Sequence, residues 1–390
     1  MAALLIAVIY LAFISLGLPD SLLGSAWPSM RIVFDVPSSF AGYVSMTICL
    51  MTIISSLISP TLIKKIQTKW IVIFSILLTI IGLLGFSFSS KYWMLFIFAI
   101  PYGLGAGSID AALNHYVALN YSSRVMNFLH CFYGIGAVIS PNIMSIALRY
   151  AHWNQGYRWT AYIQIGILLI CILSIPLWKM NEKKDVEIQK ETKGIFSTLK
   201  IPAVILTLIA FFSYCAGEAT CFLWTSTYFK NRFDYLGEDT IAACGSLIFL
   251  GLMLGRLLSG IFANKLNDRN LIRIGIGIEL IGIILISINI DNYILPIIGF
   301  IVIGLGMGPI YPSIQHMAPI NFGHEYAASV IGLQMASAYL GSTFMPTVFG
   351  LIEERTGYYM MPIYLGIFLI LNISLLEISY LINKQRKIGK

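Results

Sequence analysis

Four ionisable side chains stand inside long apolar runs, where a charge is costly enough to make each one a functional candidate. Asp20 lies in LGLPDSLLGSAWP, Asp110 in GAGSIDAALNH, Glu218 in CAGEATCFLW and Arg256 in LGRLLSGIF. A carboxylate in such a place can take up a proton and lose its charge, which lowers the cost of carrying it through a dry environment. Asp20, Asp110 and Glu218 are therefore the candidates for proton coupling, and Arg256 is assigned a structural, interdomain role. Asn114 follows Asp110 by four residues and shares its helical face; Asn127 and His130, three apart, share another. With the amides of Gln315 and Gln334, these groups form a set of donors and acceptors suited to a neutral ligand bearing several hydroxyls. Trp27, Tyr133, Trp224, Tyr228 and Tyr311 could present aromatic faces to such a ligand. No nucleophile–base pair stands out, so no covalent chemistry is implied. The six cysteines show no metal-ligand spacing. No cofactor or metal is expected.

The elements that must position these residues follow from composition. Of 390 residues, 58% are hydrophobic and 11% charged, against about 25% charged in a soluble domain, and the mean hydropathy is +0.82. Such a chain has too little polar surface for a water-soluble globule and is expected to be an all-α integral membrane protein. A span needs about 20 apolar residues. The apolar runs predict twelve transmembrane helices, near 2–30, 40–63, 70–90, 92–119, 125–150, 158–179, 200–230, 239–264, 270–289, 293–319, 326–351 and 358–382. The first run, starting almost at Met1 with no basic stretch before it, is taken as a retained helix and not a signal peptide.

The most polar stretch, KMNEKKDVEIQKETKGIFSTLK at 179–200, divides the chain into a six-helix bundle over 1–178 and another over 201–390. Seventeen Lys and Arg lie on the linker's side of the alternating connectors and seven on the other. The excess places the linker and both termini in the cytoplasm, with the chain a multi-pass protein of the plasma or inner membrane. The net charge of +7 is thereby explained as topology, because the basic residues sit in short connectors and not on one face, and no nucleic-acid partner is expected. A monomer in the lipid bilayer is expected.

The halves repeat one another. GLGAGSIDAALNH at 103–115 aligns with GLGMGPIYPSIQH at 304–316, so that Asp110 meets Tyr311, Asn114 meets Gln315 and His115 meets His316. Gly136 and Pro141 likewise meet Gly341 and Pro346, and a weaker match puts Asp20 opposite Glu218. A six-plus-six duplication with short connectors is the pattern of a two-lobed transporter. His115 and His316, near helix ends, are expected to be solvated or to cap, and Glu279 and Glu377 to be structural.

Two stretches carry a family resemblance. GIFANKLNDR at 260–269 resembles the Gly-rich, Asp/Arg-containing loop of the major facilitator superfamily, with Asn264 where Asp is usual. GAGSIDAALNHYVALN followed by RVMNFLHCFYGIGAVISP is similar to the fucose–proton symporter family and its glucose-transporting relatives. The resemblance implies the twelve-helix major facilitator fold. It implies that Asp20 and Asp110 occupy the family's membrane-embedded acid positions, and that Asn114 and Asn127 match family asparagines. His130 departs from the Gln or Glu usual there. The expected function is proton-coupled symport of a monosaccharide or similar small polar solute by alternating access, with the cavity at mid-membrane between the halves. Asp20 is the preferred proton carrier, Asp110 and Asn114 the preferred groups on sugar hydroxyls; sodium as coupling ion is left open. The alternatives are a drug–proton antiporter of the same fold, although the span-five stretch GIGAVISPN lacks the glycine–proline signature of that class, and a non-transporting sensor or scaffold.

Overall fold

A computed structural model describes residues 2–20, 22–37, 40–181 and 192–388. The central part of the linker, 182–191, lies outside the described residues. Among the described residues the chain is helical throughout, without a strand. In the first half the helices are α1 (Ala2–Asp20), α2 (Leu22–Phe34), α3 (Phe40–Lys65), α4 (Thr68–Phe88), α5 (Tyr92–Asn120), α6 (Ser123–Tyr150) and α7 (Trp153–Leu173). After a one-turn helix α8 (Ile195–Thr198) come α9 (Pro202–Arg232), α10 (Glu238–Phe262), α11 (Asp268–Ser287), α12 (Ile294–Met307), α13 (Ile310–Phe322), α14 (His324–Thr356) and α15 (Met360–Ile388).

Among the described residues, eleven helical runs are long and apolar enough to cross a membrane, counting α1 with α2 and α12 with α13. The twelfth is α10, whose apolar part is the shorter Leu247–Phe262. One expected continuous span, the tenth, is interrupted after Met307, where Gly308 and Pro309 intervene. Proline lacks an N–H and cannot continue the helical ladder. The helices α13 and α14 turn about Gly323 and α14 and α15 about Gly357, with φ of 92° and 88°. This left-handed region is open to glycine at little cost, which is why the chain reverses there without a longer loop. At the start of α11 the Asn267 side chain accepts from the Asn270 N–H at 2.8 Å, an N-cap that satisfies one free donor.

The chain falls into two compact units. The first is Met1–Val117, Leu129–Ile195 and His324–Ala336; the second is Ala118–Phe128, Phe196–Gly323 and Ser337–Lys390. Two short segments, 118–128 and 324–336, each group with the other part of the chain, and the bonds within each unit give the reason. In the second unit, Ser259 donates to Asn127 Oδ1, and the His316 ring is within 3.0 Å of the Tyr121 carbonyl. In the first, the Lys193 N–H donates to the Glu325 carbonyl at 2.8 Å, and Ser329 donates to the Lys193 carbonyl at 2.6 Å.

The same scaffold builds each unit. A methyl group on Gly103 would lie 2.3 Å from the Ile48 carbonyl oxygen, and one on Gly304 would lie 2.3 Å from that of Ile248. Gly105 meets Ser75 and Thr79 of α4, as Gly306 meets Gly275 and Glu279 of α11. Gly136 rests on Ile14 and Leu18, as Gly341 rests on Phe212 and Ala216. Small residues at these crossings let backbones touch. They also register the repeat in space. Ile14 corresponds to Phe212 and Leu18 to Ala216, so Asp20 corresponds to Glu218, which supports the weak alignment of these two acids.

Candidate functional site

In the first unit, Pro19 removes the N–H that would bond the Ser15 carbonyl four residues earlier. Gln164 of α7 donates to that carbonyl at 2.7 Å and accepts from Thr79 Oγ1 at 2.7 Å. Gln164 thus bonds between helices. Beside this repaired gap in the hydrogen-bond ladder, Tyr102 donates to the Pro19 carbonyl at 2.6 Å. Asp20 accepts a hydrogen bond from the Tyr133 hydroxyl of α6, and its surface is exposed although Leu16 to Pro19 and Leu22 around it are buried.

The second element of that unit is a chain of polar groups buried between α5 and α6. Asn114 Nδ2 donates to Asp110 Oδ1 at 2.7 Å and to the Asp110 carbonyl at 2.9 Å. His130 Nε2 lies 3.0 Å from Asn114 Oδ1, and the ring stands edge-on to Phe13. The expected face of Asp110 and Asn114 therefore forms, and His130 joins it. Asn114→Ala would remove one hydrogen-bond partner from each neighbour. The expected cost is about 1–3 kcal/mol of stability, checked by thermal unfolding in detergent, together with weaker solute binding.

In the second unit, Glu218 accepts from the Tyr214 hydroxyl at 2.8 Å and pairs with Arg256 Nη2 at 3.4 Å. Tyr214 also donates toward the Met307 carbonyl at 3.0 Å, and its ring packs against Phe211 and Tyr311. Gln315 of this unit and Gln334 of the first are fully buried, and among the described residues neither amide oxygen nor amide nitrogen of either has a hydrogen-bond partner. A buried amide without partners costs free energy that a polar ligand would relieve.

Several expected site residues make bonds or contacts within the protein. Asn127 donates to the Ser123 carbonyl and accepts from Ser259, so its amide is engaged within the protein. Trp27 is buried in an aromatic core with Tyr102, Trp153 and Tyr157. Trp224 donates to the Pro346 carbonyl at 2.8 Å, and Tyr228 donates to the Ile286 carbonyl at 2.7 Å; both bonds hold helices together. Arg256, for which an interdomain role is expected, has an ion pair with Glu218 within its own unit. His115 is buried, not solvated, and His316 is held between Asp268 and the Tyr121 carbonyl. Glu377 is clamped by Arg269 and Arg273, the structural role expected. Tyr214 was missed by the sequence reading, though its place one helical turn before Glu218 is the signal that could have found it.

The family model of the Major Facilitator Superfamily matches residues 9–383. The chain belongs to the Major Facilitator Superfamily. It is accordingly a multi-pass membrane transporter and not an enzyme. Among members of the superfamily, it is 22% identical to the glucose/mannose transporter GlcP of Bacillus subtilis, over 97% of this chain and 94% of that one. It is 21% identical to Bypass of stop codon protein 6 of Saccharomyces cerevisiae, over 70% of this chain and 61% of that relative's length. A shorter match, 24% identical over 49% of this chain and 42% of the relative, is to the multidrug efflux pump SdrM of Staphylococcus aureus. The fold is that of the transporter FucP in its outward conformation, with a TM-score of 0.78, 14% identity, and coverage of 96% and 98% of the two chains. The proton:xylose symporter XylE gives 0.79, at 12% identity over 96% and 95%.

Proposed function

We propose that the protein moves a monosaccharide or similar small polar solute together with a proton, by alternating access, with the linker and both termini in the cytoplasm. The observation that carries the reading is the presence of fully buried, unpartnered amides, Gln315 and Gln334. Hydroxyls donate and accept and would satisfy both ends of an amide, whereas an apolar cargo would leave them unpaired. Within the first unit, the Asp110–Asn114–His130 chain supplies further sites for hydroxyls. Asp20, bonded to Tyr133, is the proton carrier of this scheme. The match to GlcP over nearly the whole chain supports a sugar as cargo.

The match to SdrM favours a second reading, extrusion of amphiphilic compounds in exchange for protons. Vesicles containing the purified protein, given an inward proton gradient and a panel of monosaccharides, decide between them. Accumulation of one or more sugars is the expected result. Hydrophobic dyes moving against the gradient while no sugar moves would establish the antiporter instead.

A further inference from the structure

The register between the units shows one acid out of place. Gly105 packs on Thr79 in the first unit as Gly306 packs on Glu279 in the second. Thr79 is neutral and bonded to Gln164. Glu279, at the same station of the repeat, is 6% exposed, lies near the middle of a membrane-spanning helix, and has no hydrogen bond or ion pair among the described residues. The neighbouring stations differ in the same way. Asp20 corresponds to Glu218, and, since Ile48 corresponds to Ile248, Ser56 corresponds to Arg256. The first unit therefore has one acid where the second has two acids and a single arginine.

The surroundings of Glu279 leave its charge unanswered. On α9 the titratable groups near it are Glu218, already engaged by Tyr214 and Arg256, and the buried thiol of Cys221; Glu218 is its electrostatic neighbour. From α10 the cation is Arg256, which faces Glu218. Helix α12 carries no titratable residue. Helix α13 offers Tyr311, packed on Tyr214, and His316, which is held by Asp268 at the far end of α11. On α15, Glu377 is tied to Arg269 and Arg273, and Tyr380 lies under Arg269. Gly306 presses against the backbone of Glu279, whose amide nitrogen would lie 2.4 Å from a methyl group there, so this turn of α11 is held against α12.

We propose that Glu279 is a proton-binding residue of the second unit, taking its proton when Glu218 is paired with Arg256. One proton brings the Glu218, Arg256 and Glu279 group to neutrality, which a dry interior requires. A proton needs no coordination shell. Among the described residues no three His, Cys, Asp or Glu side chains stand close enough to hold a metal ion. The assignment rests on the proton-coupled reading above, and adds a second ionisable station to the one at Asp20.

Infrared difference spectroscopy of the purified full chain tests it, with no solute present. In the Asp20→Asn, Asp110→Asn background, acidifying from mildly alkaline to mildly acidic buffer is expected to raise the C=O stretching band of a protonated carboxyl group. Adding Glu279→Gln is expected to abolish that band; a band that survives overturns the proposal. Should that variant fail to fold, Glu279→Asp decides, because moving the carboxyl back by one methylene must shift the band, and an unshifted band assigns the proton to another acid. Replacing choline by sodium at constant pH is expected to leave the band unchanged, and its discharge by sodium would make the ligand a metal ion. A protein that moves no sugar in vesicles still returns an answer on Glu279, so the two readings fail separately.

Discussion

Asp20→Asn is expected to abolish accumulation of solute while leaving exchange of solute across the membrane intact. A proton gradient of one pH unit supplies about 1.4 kcal/mol per proton, enough for about tenfold accumulation. Asparagine has the shape of a protonated aspartate and can still accept from Tyr133, so the bond that positions it survives. It cannot take up or release the proton. In vesicles carrying such a gradient, the ratio of inside to outside solute should fall from about ten to about one, with counterflow of labelled solute retained. Accumulation equal to that of the parent protein would remove Asp20 from the coupling path. Loss of exchange as well as accumulation would make Asp20 a residue of solute binding.

The second large effect is on the fold. Gly306→Val is expected to destabilise the protein by at least about 3 kcal/mol, the upper range for forcing atoms into a filled contact. A Cβ at this position would lie 2.4 Å from the Glu279 backbone nitrogen and 2.5 Å from the Gly275 carbonyl oxygen, and neither is the end of a flexible side chain. Helices α11 and α12 would have to part. Gly277, two residues along α11 from Gly275, is the control, because a Cβ there meets nothing within 4 Å. Gly277→Ala should be neutral or stabilising by up to about 1 kcal/mol, since glycine in a helix interior gives up more chain entropy than alanine. Thermal unfolding in detergent measures both. Equal midpoints for the two variants would show that the glycine ladder does not set the helix spacing.

The ladder is also where sequence and structure agree most closely. Glycines at 103, 105 and 107 and at 304, 306 and 308 could be aligned from the sequence because they recur with the same spacing in a repeated motif. Their cause became visible only in the packing, where each lies against a backbone atom of a neighbouring helix. Asp110 and Asn114 were paired from their spacing of four residues, since that relation lies within one helix and needs no knowledge of the others. His130 could be expected near them only through a second helix, and the bonds that Asn127 makes likewise depend on a second helix. Asn127 is three residues from His130, yet its amide is taken by Ser123 and Ser259. Trp224 and Tyr228 had the composition of ligand-binding aromatics, but their polar atoms are spent on the Pro346 and Ile286 carbonyls.

The sequence alone determined the membrane environment, the helical class, the near-twelve spans, the duplication, and which few charges stand in apolar surroundings. These depend on composition and on periodicity within single segments, and both are local. Tertiary structure decided which polar groups meet. It set Asp20 beside Tyr133 and Glu218 beside Arg256 and Tyr214, and among the described residues left Glu279, expected to be structural, without a hydrogen bond or ion pair. The physical reason is helix rotation. A run of apolar residues says that a helix crosses the membrane, but the angle at which it turns each side chain inward is set by backbone contacts at glycines on other helices, which no single segment encodes.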